Sequence, residues 1–159
     1  MRCHEIIALV APTAAAFGAD WPLAPGQVRR AAANDYELLH FAPGRWLAPA
    51  LSHSLHERCQ QLIASGAAVL IDVDGKWHGV VVPRAAGASV LAQSLDVELM
   101  LGARDCAATT LFDSPAILAR TESHYHIWVQ ASYRSAWQRF EPLRSAAGPD
   151  LVVQDLEKL

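Results

Sequence analysis

His124 and His126 stand two apart, a spacing that sends both imidazoles to one face of a strand, where they could share a metal ion. No third ligand follows at a recognisable spacing, so cross-strand or surface packing is the expected role. His53 and His56 lie on a helical pattern whose apolar positions are Leu51 and Leu55, which turns both rings toward water. Asp72 and Asp74 look like the opening of a calcium loop. Gly75, however, precedes the sixth position where that loop must turn, and Pro83 stands where the bidentate Glu should be. Cys3, Cys59 and Cys106 are an odd set, far apart and without a CxxC pair, so neither a disulfide framework nor a zinc ribbon is indicated. Cys59 lies on the apolar face of a helical pattern and Cys106 begins a strand, positions where a thiol acts as a small hydrophobe. There is no GxGxxG, GxxxxGK[ST] or GxSxG motif, which leaves dinucleotide, nucleoside triphosphate and serine-hydrolase readings without support. A nucleophile, a base and an orienting group do not assemble, so no catalytic residue, cofactor-binding residue or metal ligand is assigned.

The chain that would have to position such groups has 159 residues, one domain by the size prior, with a single core as the default. Only 18% of residues are charged, 52% belong to the apolar set and five are Trp, which is oily for a lone soluble domain. Two explanations share that excess: an alanine-rich core, or apolar surface covered by a partner. A net charge of -3 provides no basic field for phosphate backbones, so nucleic acid is not an expected partner. No apolar run approaches the roughly 20 residues of a membrane span. Glu5 and Pro12 argue against a cleaved leader in the apolar start. The scattered cysteines without a disulfide framework fit a reducing cytoplasm best.

The clearest local pattern runs over 66–95. Residues 67–73 and 76–82 are two Val- and Ile-rich runs flanking Asp74-Gly75, the dipeptide that favours a type I′ turn, so a hairpin is expected there. Pro83 should end the second strand and open a helix over 84–94, with Ala85, Ala86, Gly87 and Ala88 allowing close approach to a sheet. Upstream, 5–10 and 36–41 read as strands, 12–17 as a short helix, 20–26 as a connector and 27–33 as undefined. Pro49 can open a helix whose face is Leu51, Leu55, Cys59, Leu62 and Ile63, with Gly66 as its αL stop. Downstream, 96–101 is a connecting piece, while 106–112, 116–121 and 125–131 form a three-stranded meander. A final helix starts after Ser132 with Ala136, Trp137 and Phe140 on one face before Pro142, and Gly148-Pro149 ends the packed part. The order predicts an α+β fold of antiparallel sheets with helices packed on one face, and it accommodates two ferredoxin-like halves.

Against that reading, the chain resembles the sarcosine oxidase gamma subunit family, a relative of the aminomethyltransferase folate-binding domain. The Ala-rich helix leading through Gly18 into Trp21-Pro22 and Pro25-Gly26 is similar to the family's AALG, LP and PN stretch. Phe41-Ala-Pro-Gly-Arg-Trp-Leu47 is similar to its LGPDEWLL strand, with Gly44-Arg45 where the family has Asp-Glu. Residues 68–95 resemble its strand, hairpin and helix, and 102–140 its three-strand segment ending at Ser132-Tyr133-Arg134-Ser135. The KGCYxGQ signature of the iron-sulfur-linked relatives is absent.

The resemblance implies one domain over 1–148 with a tail over 149–159. It also implies a non-catalytic gamma subunit that stabilises the alpha subunit of a heterotetrameric complex demethylating sarcosine or a similar N-methyl amino acid. FAD, FMN, NAD and tetrahydrofolate are then expected on other subunits, and none on this chain. Trp46, Trp77, Arg84 and Arg134 are the residues singled out for the partner interface, with burial in the core as the competing role for each Trp. The alternatives are a stand-alone folate-binding one-carbon protein and, for the isolated chain, a homo-oligomer.

Overall fold

The computed structural model describes residues 3–32 and 35–138. The chain divides into two compact units, Met1–Asp74 and Gly75–Leu159, each with its own sheet and its own hydrophobic cluster. The fold is α+β with two antiparallel sheets.

In the first unit, β1 (His4–Ala8), α1 (Ala14–Phe17), β2 (Val28–Ala32), β3 (Asp35–Ala42), β4 (Arg45–Ala48), α2 (His53–Ala64) and β5 (Ala68–Asp72) form a sheet of order β2-β3-β4-β1-β5. Ile6 of β1 stands opposite Trp46 on one side and Leu70 on the other. Without β2, the order β5-β1-β4-β3 is the split βαβ arrangement of a ferredoxin-like half. Residues 27–33, undefined by pattern, supply the added edge strand. Its ladder with β3 is interrupted by register shifts around Arg30, which explains why no alternation marks it.

Pro49 does not open α2. The helix starts after Ser52, whose hydroxyl accepts from Leu55 N–H at 3.2 Å, and Leu51 precedes it. Leu55, Cys59 and Leu62 are buried as expected, whereas Ile63 points away and is 40% exposed. Gly66 ends the helix at φ +71, donating to Ile63 O while Ala67 N–H reaches Leu62 O, a Schellman arrangement. Both helices contribute to one cluster with Ile6, Leu38, Trp46, Ala48 and Ala68, so they cover the same sheet face.

The second unit contains β6 (Trp77–Pro83), α3 (Arg84–Leu91), α4 (Val97–Leu101), β7 (Cys106–Leu111), β8 (Ser114–Arg120), β9 (His124–Gln130), a 3₁₀ turn (Ala131–Tyr133) and α5 (Arg134–Gln138). The meander is present, and β6 joins it beside β9 to give β6-β9-β8-β7. This is not a second ferredoxin-like half, because no helix separates β8 from β9. The segment 96–101 is a helix rather than a connector: Asp96 accepts from Leu99 N–H at 3.0 Å and caps it. Val90, Leu91, Val97, Leu101 and Trp137 pack with Val80, Val82, Ile127 and Val129, so these helices also share one face of their sheet. Phe140, Pro142 and the tail lie outside the described residues.

The expected hairpin does not form. β5 pairs with β1 and β6 with β9, so the runs flanking Asp74-Gly75 enter different sheets. A type I′ turn needs positive φ at both central residues; Gly75 has it at +75 and Asp74 does not. The Asp74 carboxylate instead accepts from Cys3 N–H at 2.7 Å, while Val73 N–H donates to Cys3 O, extending the β1–β5 ladder. Two consecutive positive φ values occur at Phe112 (+48) and Asp113 (+61), which join β7 to β8.

Gly87 shows why α3 carries its small residues. A Cβ there would lie 2.7 Å from Val82 Cγ1 and 3.3 Å from Tyr125 Cδ2. Gly87→Ala is therefore expected to lower stability by about 1–3 kcal/mol from overpacking, partly offset by the roughly 1 kcal/mol helix preference of Ala. Denaturant unfolding checks this, and an unchanged or higher midpoint would show that α3 does not sit this close to β6.

Candidate functional site

Trp46 sits inside the first unit with no exposed surface. Its ring centroid lies 5.3 Å from Phe17, 5.8 Å from Trp21 and 4.5 Å from His40, on which it stacks. Its indole N–H donates to Pro22 O at 2.8 Å. Aromatic pairs of this kind contribute about 0.5–1.5 kcal/mol each beyond area burial, more than a typical surface ion pair. The cluster thus fastens the Trp21-Pro22 connector, which has no regular structure of its own, to the sheet. Trp46 is a core residue whose polar atom is already committed.

His40 completes this cluster. It is 1% exposed, and Gly44 N–H donates to its Nε2 at 3.2 Å, which leaves that nitrogen unprotonated. Burial pushes the imidazole below its ordinary pKa of 6.5, against the opposing effect of hydrogen bonds to the backbone of Ala24, Pro22 and Ala42. Sequence reasoning did not single out this residue. The signal available was a lone polar residue inside an apolar strand, directly before the Phe41–Leu47 stretch.

Trp77, Arg84 and Arg134 all belong to the second unit and are each partly buried. Lys76 Nζ lies 5.2 Å over the Trp77 ring. Trp77 pairs with Gln130 at one end of β6, and Ala131 N–H donates to Lys76 O, so Arg134 starts α5 near the same end. Arg84 follows Pro83 at the opposite end of β6. The structure thus brings Trp77 and Arg134 to one end of β6 and leaves Arg84 at the other.

Arg84 belongs to a charge cluster built around Glu98 of α4. Its Nε and one terminal nitrogen reach Glu98 Oε1 at 3.1 and 2.9 Å; Arg120 Nη1 reaches Oε2 at 2.7 Å. The Tyr125 hydroxyl donates to Oε1 at 2.6 Å. That hydrogen bond, then the two guanidinium charges, hold the Glu98 carboxyl below the usual carboxylate range. Tyr125 is pushed up, first by burial and then by the carboxylate it donates to. The arrangement ties α3, α4, β8 and β9 together at the chain's surface. It supplies no nucleophile.

The remaining reactive types fare similarly. Burial pushes the Cys59 thiol up to about 11 and the Cys106 thiol up to about 12, so both are poor nucleophiles near neutrality. His53 and His56 are exposed, His53 lying 3.3 Å from Glu57. His124 Nδ1 lies 2.7 Å from Ser123 Oγ, and His126 stacks beside Trp128. Among the described residues, no group of three or more His, Cys, Asp or Glu side chains could hold a metal ion. Among them, too, no helix is long and apolar enough to cross a membrane. A cavity of about 170 Å³ in the second unit is lined by Phe112, Ser114, Ala136 and Trp137, without a titratable group.

No protein-family profile and no curated protein matches this sequence. A solved structure does: a chain of the heterotetrameric sarcosine oxidase from Corynebacterium sp. U-96, in complex with pyrrole 2-carboxylate. The fold is shared with that oxidase chain. The TM-score is 0.67 at 22% identity, over 92% of this chain and 79% of the other. The similarity therefore includes both units, and at this identity it concerns the fold.

Two predictions follow from these environments. Since the folded-state pKa of His40 is depressed, its contribution to stability is complete above about 6.5 and is lost as pH falls below that value. Unfolding midpoints between pH 8 and 5 should fall on the acid side in wild type and flatten in His40→Phe; equal slopes would place the titration elsewhere. Native protein at pH 7.5 should leave Cys59 and Cys106 unalkylated by iodoacetamide until denaturant is added. Rapid labelling of either in the folded chain would contradict their burial.

Proposed function

We propose that this chain is a non-catalytic gamma subunit of a heterotetrameric sarcosine oxidase-like complex, which oxidatively demethylates sarcosine or a similar N-methyl amino acid, and that it stabilises the alpha subunit. The observation that carries the reading is the fold shared with a sarcosine oxidase chain over 92% of the sequence. Support comes from the residues themselves: Cys59 and Cys106 are buried with raised pKa values, and the Arg84–Glu98–Arg120 charge cluster ties helices to strands. In this reading FAD, FMN, NAD and tetrahydrofolate bind the other subunits, residues 1–148 act as one domain, and the complex works in the cytoplasm. Trp77, Arg84 and Arg134, each partly exposed, are proposed as partner contacts. Trp46, being buried, is not.

Co-expression with the other subunits of such a complex should yield a stable assembly containing this chain and a yellow flavoprotein. The chain purified alone should show no flavin absorbance and no oxidase activity, and should not bind tetrahydrofolate at micromolar concentration. Failure to co-purify with any flavoprotein contradicts the proposal. Micromolar folate binding by the isolated chain would favour an independent one-carbon protein instead.

A further inference from the structure

We draw no further inference here: the strongest candidate, the cavity of the second unit lined by Phe112, Ser114, Ala136 and Trp137, carries no titratable side chain, and nothing in the structure shows what covers it.

Discussion

The pairing of β1 with β5 is the contact on which the rest of the structure depends. It sends the run before Asp74 into the first sheet, so the run after Gly75 must find another partner and joins β9 in the second. From that division come the two compact units, each with helices on one sheet face. Among the described residues it also leaves β5 at the edge of its sheet. Asp74 secures the arrangement by accepting from Cys3 N–H, 71 residues earlier in the chain. A local hairpin would have lower loop-closure cost, but it would remove the β5 ladder from β1 and uncover Ala68 and Leu70, which pack into the first core.

Stability and reactivity point the same way. The first core is centred on Phe17, Trp21, Trp46 and His40, and the second on aliphatic side chains with Tyr125 and Trp137. Two polar groups of these cores have structural partners: the Trp46 indole N–H donates to Pro22 O and the Tyr125 hydroxyl to Glu98. Burial raises the Cys59 and Cys106 thiols and lowers His40, so each stays neutral near pH 7. Such groups hold a fold. The proposed subunit role accommodates this.

Much of the fold could be read in the residues because short-range rules settle it. Gly66 stops α2, Pro83 separates β6 from α3, Gly87 permits a close approach, and the three runs of the meander pair in order. What could not be read depends on distant partners. Asp74-Gly75 has the local chemistry of a hairpin, and only β1 and β9, far away in sequence, decide otherwise. The true tight turn uses Phe112 and Asp113, which carry no glycine to announce it. β2 lacks alternation because its ladder is irregular, whereas Asp96 before Val97, Met100 and Leu101 was a legible cap and helix face that the eye passes over. As for the candidate contacts, the residue type alone could not separate Trp46, which is core, from Trp77, which is half-buried beside Lys76.

Strand pairing is the most direct test of this account, and interstrand nuclear Overhauser effects on the full chain measure it. The fold requires Hα–Hα cross-peaks between Ile6 and Leu70, and between Val81 and His126, which are the facing pairs of the two ladders. Cross-peaks joining Asp72 to Trp77 instead, as in a hairpin closed by Asp74-Gly75, would pair β5 with β6 and contradict the two-sheet arrangement.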